Sequence, residues 1–298
     1  MFHSCPVCAS GSIRLRFTGF SNRNPADGKA WPVFECLSCR HGFVNPRPSA
    51  EDLNAFYDSA YEAYDERHAA EADDATVIAK AMSAGNLDGI PLPEGKRVLD
   101  LGCGGGYFLN LCRQLGAMVQ GIEPSQHGAA IARGQGIPVF EGTLEDFLSE
   151  HGEERFDIIT SHHVLEHVPD PVGTLTKLRS LLTDGGLMKI MVPNADSPFA
   201  LKLGADWHSV DLPIHLHQFS EKSLVKAAAN AGLSTIDVGT VSLPAGIAHS
   251  LQLHLRRRYK VPQRISSKLP GINLIGAHLA KLHDAGNQGE ALVAKFAA

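Results

Sequence analysis

The stretch VLDLGCGGGYF, residues 98–108, decides the fold. An apolar run that ends in glycines and passes into the helical pattern YFLNLCRQLG predicts a buried strand turning sharply into a helix. Glycines let the backbone take positive φ and come close to a ligand, and the helix start behind them offers free N–H groups and partial positive charge. The turn is built for a nucleotide-like ligand. The dinucleotide fingerprint G-x-G-x-x-G fits only in part: Gly102 and Gly104 are in place, but Tyr107 holds the last position and Asp100 stands two residues before the first glycine.

Outward from that turn, AMVQGIE ends a second apolar run on Glu123, at about the 20-residue spacing of a ribose-binding acid. IPVFEG, FDIITSHHV and GLMKIMVPN follow, separated by helical patterns, and TIDVGTVS and EALVAKF supply two last strands. The alternation predicts an α/β chain: a Rossmann-like, mostly parallel seven-stranded sheet with helices on both faces. Ligands in such a sheet sit beyond the carboxyl ends of the strands.

The pattern D-x-G-x-G-x-G resembles motif I of the class I S-adenosylmethionine-dependent methyltransferases. The resemblance implies that Asp100, Gly102, Gly104 and Gly106 accommodate the amino-acid portion of S-adenosylmethionine and that Glu123 takes its ribose hydroxyls. In EGTLEDF, Thr143 stands where similar enzymes contact adenine, with Glu145 and Asp146 shortly after. SHHVLEHVPDP resembles the post-strand motif of the ubiquinone-biosynthesis and related small-molecule methyltransferases, where a Glu replaces His163 and the trio is implicated in divalent metal binding. His163, Glu166 and His167 are expected on one face of a helical turn, to hold a metal, to serve as acid and base, or to shape the site as hydrogen-bonded helix-start residues. The stretch DLPIHLHQFS is related to another motif of the group and gathers Asp211, His215 and His217. It reads either as a base oriented by a carboxylate or as histidines that fix a loop through backbone carbonyls. Ser220 is expected to cap the next helix, with Ser223 in the box position.

Cys5, Cys8, Cys36 and Cys39 form C-x2-C, a gap of 27 residues, and C-x2-C; Cys103 and Cys112 lie in the glycine turn and the helix after it. MFHSCPVC has neither the basic nor the apolar region of a signal peptide, so a cytoplasmic chain with reduced thiols is expected and the knuckles point to zinc. Four thiolates leave no open position, which makes the metal structural. IRLRF and WPVFEC are strand candidates for two small hairpins of this ribbon, with His3 and His41 as surface residues.

The expected organisation is a ribbon (1–50), linking helices over the cofactor cleft (51–92), a core (93–243), a helical basic insert (244–284) and a closing strand (285–298). Tyr57, Tyr61 and Tyr64 share a face of the linking segment, either as a packing stripe or as a cover for the cofactor. Ser49 is its candidate cap. Lys+Arg minus Asp+Glu gives 8 − 12 = −4 for residues 1–90, 11 − 18 = −7 for 91–243 and 8 − 2 = +6 for 244–298. The acidic body argues against a large nucleic-acid footprint. The run Arg256, Arg257, Arg258 and Lys260 is a solvated face, a grip for a phosphate-bearing substrate, or a weak contact with a bilayer surface. No apolar run is long enough to span a membrane. The function expected from the resemblance is methyl transfer to carbon or oxygen of a small molecule: a sugar, a nucleotide-linked sugar or a secondary-metabolite intermediate. The alternatives are a zinc-ribbon RNA methyltransferase, disfavoured by the acidic body and the all-cysteine metal set, and a non-catalytic binding module on the same scaffold.

Overall fold

The computed structural model describes residues 2–21, 28–49, 52–53, 74–266 and 269–298. Tyr57, Tyr61 and Tyr64 lie outside the described residues. Strands β1 (Ile13–Phe20), β2 (Ala30–Cys36) and β3 (Gly42–Val44) come first, then α1 (Asp74–Ala84) and the small hairpin β4 (Asn86–Leu87) and β5 (Ile90–Pro91). The alternating part runs β6 (Arg97–Leu101), α2 (Tyr107–Gln114), β7 (Met118–Glu123), α3 (Gln126–Gly134), β8 (Val139–Glu141), α4 (Leu144–His151), β9 (Phe156–His162), α5 (Pro171–Ser180) and β10 (Leu182–Pro193). After α6 (Pro198–Leu203) and two short 3-10 turns come β11 (His217–Gln218), α7 (Glu221–Asn230) and β12 (Ser234–Val241). The chain ends with α8 (Pro244–Tyr259), α9 (Gln263–Ser266), α10 (Ile272–Ala285) and β13 (Ala291–Ala297).

Seven strands form one sheet in the order β12-β13-β10-β9-β6-β7-β8. Strands β6 to β10 pair in parallel, and β13 runs antiparallel to both of its neighbours. Side chains on a strand alternate between faces, and here both faces are covered. Val98 and Ile158 pack with Leu109, Leu111 and Ala132 of α2 and α3, whereas Leu99 and Ile159 meet Phe147, Leu175 and Leu224 of α4, α5 and α7. This explains why the strands read as unbroken apolar runs. The glycine turn and the ends of β7 and β9 therefore gather along one edge of the sheet.

The helix starts follow local capping rules. Ser220 caps α7 in a box with Ser223, as the sequence indicates. Helix α8 forms although Leu251, Leu253 and Leu255 alternate, because Ile247, Ala248, Ser250 and Leu253 are buried on its inner side.

The ribbon is less separate than the sequence suggests. Its two hairpins share β2, and β3 pairs antiparallel with β11, a strand of the loop that follows β10. Cys5, Val7, Cys36 and Cys39 belong to the same apolar cluster as Phe219 and Leu224, and the Asn230 amide donates to the Val7 carbonyl at 2.7 Å. His41, expected at the surface, is 0% exposed and packs against Phe43 and Phe219. The ribbon's sheet needs β11 as its fourth strand, and that docking covers His41.

Candidate active site

The glycine turn is fixed by close packing and by an acid. Gly102 has φ 71°, and a Cβ there would lie 2.3 Å from Cγ2 of Val164. Gly106 caps α2 at φ 82°, where a Cβ would meet Ala132 at 2.9 Å. Both positions demand glycine on conformation and on space. Glu123, 1% exposed, accepts from the Gly104 N–H at 2.9 Å through Oε2 and from the Ser125 N–H at 2.8 Å through Oε1. It thus ties the turn to the start of α3, with lone pairs remaining for a ribose. Asp100 accepts from the Thr160 hydroxyl at 2.7 Å. Burial pushes its pKa up to about 7, against the lowering effect of that hydrogen bond. The glycines, Asp100 and Glu123 lie together at the ends of β6 and β7, a donor set that fits the amino-acid and ribose ends of S-adenosylmethionine.

Thr143 has a capping role in this structure. It is the N-cap of α4: the Asp146 N–H donates to its hydroxyl at 3.2 Å, and the hydroxyl donates to the Asp146 carboxylate at 2.6 Å. T-x-x-D here is a capping box.

Beyond β9 the expected helical turn does not form, because His163 takes φ 56° and α5 begins only at Pro171. Its Nδ1 lies 3.2 Å from Oε1 of Glu166, which is 0% exposed. Oε2 of Glu166 is buried with no hydrogen-bond partner. The turn places His163 behind Glu166 and brings in a residue from another loop: ligand atoms of Glu166, His167 and His215 lie within 4.8 Å of one another. Nδ1 of His167 is 3.3 Å from the Ile214 carbonyl and Nδ1 of His215 is 2.8 Å from the Ser209 carbonyl. A carbonyl only accepts, so both Nδ1 atoms carry a proton, and in the neutral ring Nε2 then keeps the lone pair. Burial and the neighbouring His215 lower the His167 pKa to about 4. Burial works against charge on Glu166, but the His163 hydrogen bond and the surrounding imidazoles outweigh it and hold the acid below its usual range.

His217 does not join this group. It is 1% exposed, with Nδ1 2.8 Å from Nε2 of His41 and Nε2 3.1 Å from the Val168 carbonyl. Asp211 lies 3.9 Å from Nε2 of His215, too far for a hydrogen bond. The two histidines of H-x-H therefore part company, His215 toward Glu166 and His217 toward the ribbon. The His217 N–H also donates to the Glu166 carbonyl at 3.1 Å, so the ribbon and the Glu166 turn share a backbone link.

The four cysteine sulfurs lie within 4.8 Å of one another, with Cys5–Cys39 and Cys8–Cys36 at 3.5 Å. Tetrahedral zinc with Zn–S of about 2.3 Å holds sulfurs roughly 3.8 Å apart, so the set fits the ion. The two knuckles repeat one turn: the Ala9 N–H donates to the Cys5 carbonyl at 2.9 Å and the Arg40 N–H to the Cys36 carbonyl at 2.8 Å.

Other groups come together that sequence reasoning missed. A cleft of about 550 Å³ opens between α1, the β4–β5 hairpin and α2, lined by Val77, Ala81, Asp88, Phe108, His162 and Met191. Asp88 is held by the ammonium of Lys189, a side chain only 1% exposed on β10, and His162 leaves its Nε2 without a partner 4.0 Å from Asp88. A lysine inside GLMKIMV was the visible signal. Elsewhere Trp207 donates to Glu290 at 2.8 Å, and burial raises the Glu290 pKa to about 7.

Comparison with known proteins agrees with this geometry. A family profile described as a methyltransferase domain matches residues 76–238. Ubiquinone biosynthesis O-methyltransferases from Aromatoleum aromaticum and Cereibacter sphaeroides are 34% and 36% identical over 157 and 174 residues, 48% and 54% of this chain and 66% and 70% of theirs. The one from Glaesserella parasuis, 37% identical, is matched over 58% of its length, so the chain spans 58% to 70% of these relatives. A SAM-dependent methyltransferase from Archaeoglobus fulgidus shares the fold, with TM-score 0.52 at 18% identity over 80% of this chain and 100% of that one. The chain belongs to the methyltransferase family, and its matched domain contains the glycine turn, Glu123 and the Glu166 turn.

Proposed function

We propose that this protein transfers the methyl group of S-adenosylmethionine to a hydroxyl of a small-molecule acceptor. The observation that carries the acceptor half is the group Glu166, His167 and His215: it joins a buried carboxylate with one unpartnered oxygen to two imidazoles whose Nδ1 atoms are engaged by backbone carbonyls. Two histidines and one carboxylate, each held from behind by a hydrogen bond, match the donor set that holds a divalent cation with open positions. A cation bound there lowers the pKa of a hydroxyl beside it. The chain's own residues do the rest. The Ile214 and Ser209 carbonyls fix both ring orientations, and His163 holds Oε1 of Glu166 while Oε2 is left without a hydrogen-bond partner. Methyl transfer at a sulfonium then needs mainly donor and acceptor in near-attack geometry.

Among the acceptor classes expected from the sequence, the cleft favours a secondary-metabolite type with an apolar body. Val77, Ala81, Phe108 and Met191 would cover such a body, while Lys80, Asn86, Asp88 and His162 put polar groups at part of the same cleft. The relatives named as ubiquinone biosynthesis O-methyltransferases support oxygen over carbon. The test is a screen of phenolic and alicyclic hydroxy compounds with isotopically labelled S-adenosylmethionine, with and without manganese. Labelled methyl on oxygen, dependent on added cation, is the expected product. Methylation of carbon, or transfer indifferent to chelation in both the parent and Glu166→Gln, would overturn the hydroxyl and cation assignments.

A further inference from the structure

Residues 238–283 contain seven Lys and Arg and no Asp or Glu, in a chain whose formal net charge is −5. The remainder therefore carries −5 − 7 = −12. This acid-free segment forms the helical pair α8 and α10 with the short α9 between them. Part of its charge is used internally, since Arg257 donates to the Ala205 carbonyl and to Asp206. Arg258 and Lys260, at the end of α8, are exposed, and Tyr259 between them is 65% exposed.

The same end of the pair exposes large apolar side chains. Ile265 of α9 is 49% exposed, and Leu274 and Ile275 in the first turn of α10 are 76% and 52% exposed. Helix α10 packs inward through Ile272, Gly276 and Ala280, one stripe at successive i+4 positions. Gly276 lies so close to α8 that a Cβ would meet the Pro244 carbonyl at 2.5 Å. Leu274, Ile275, Lys281 and Leu282 project from the opposite side, where a water-facing helix would be polar.

We infer that this end of the insert, from Arg258 to Ile275, docks on an anionic lipid bilayer surface. Exposed leucine and isoleucine beside arginine and lysine, with a tyrosine at the boundary, is the chemistry of a helix lying in the headgroup region. A nucleic acid would engage the bases but leave the leucines in water. A second copy docked through the same face would bring Arg258 and Lys260 against their own like charges. The inference does not depend on the methyl-transfer reading.

Vesicle flotation of the intact, zinc-loaded chain tests it, with phosphatidylcholine vesicles compared with equimolar phosphatidylcholine and phosphatidylglycerol. Partition onto the anionic vesicles is expected to be at least roughly 10-fold stronger and to fall in high salt. The pairs Leu274→Ser with Ile275→Ser, and Arg258→Glu with Lys260→Glu, should each weaken it about 10-fold, with an unchanged urea unfolding midpoint as the check that they fold. Equal or no partition onto the two vesicles overturns the inference, as does either pair leaving partition unchanged. So does a concentration-dependent dimer dispersed by the Leu274/Ile275 pair, or RNA binding lost in the Arg258/Lys260 pair, without vesicle binding.

Discussion

Replacing Gly102 by alanine probes the link between the glycine turn and the Glu166 turn. At φ 71° an L-residue costs about 1–2 kcal/mol. The new methyl would also lie 2.3 Å from Cγ2 of Val164, well inside the roughly 3.5–4.0 Å of carbon contact, so that side chain must move by more than about 1 Å. Overpacking of this kind adds about 1–3 kcal/mol, giving a loss of about 2–5 kcal/mol for Gly102→Ala. Val164→Ala removes the obstructing atom and costs roughly 1–2 kcal/mol alone. In the double variant the overpacking contribution disappears while the backbone cost stays, so the two changes should couple by about 1–3 kcal/mol in the compensating direction. Urea unfolding followed by the fluorescence of Trp31 and Trp207 measures all four proteins of the cycle. A single variant within about 0.5 kcal/mol of the parent, or additivity within that margin, refutes the packing described for the turn.

Glu166→Gln should abolish saturable manganese binding, and His163→Ala should weaken it roughly 10–100-fold by releasing the carboxylate, both with S-adenosylmethionine affinity unchanged in calorimetry. Chelation of zinc under reducing conditions should speed amide exchange across residues 211–218 before 98–123, because β11 is held by β3 and by the 2.8 Å contact between His41 and His217; simultaneous deprotection of both stretches would contradict this order. Glu290 carries a pH signature. Its folded pKa of about 7 lies above the ordinary value of 4.5, so the folded state keeps the proton longer and stability falls as pH rises through that window. Urea midpoints measured at both ends of the window should therefore show a smaller fall for Glu290→Gln than for the parent, and an equal fall would remove Glu290 as a cause.

The sheet was legible because every strand from β6 to β10 announces itself as an apolar run between glycines and helical patterns, and the C-x2-C spacing announced equally well that the four cysteines gather at one place. Capping at Ser220 was readable from local chemistry. What escaped was decided between distant segments. His163 was expected to share a helical face with Glu166 and His167, but a left-handed backbone at that one residue breaks the helix, and His215, from a separate loop, takes the place beside them. H-x-H looks like one unit in sequence, yet β11 is claimed by the ribbon, so His217 is buried on His41 while His215 stays with Glu166. At Thr143 the local T-x-x-D pattern also encoded the capping box that the structure shows. Lys189 within an apolar strand and Glu290 just before another could be seen as misplaced charges, but their partners Asp88 and Trp207 depend on packing no local pattern encodes.

The central claim is that the turn at Gly102–Gly106, with Glu123, holds S-adenosylmethionine, and isothermal calorimetry of the zinc-loaded chain tests it most directly. One-to-one, saturable binding is expected, with Glu123→Ala weakening it by roughly 10-fold or more through loss of a charge-assisted hydrogen bond to the ribose. Absence of binding by the intact protein would contradict the claim outright, and undiminished affinity in a folded Glu123→Ala variant would contradict the ribose assignment.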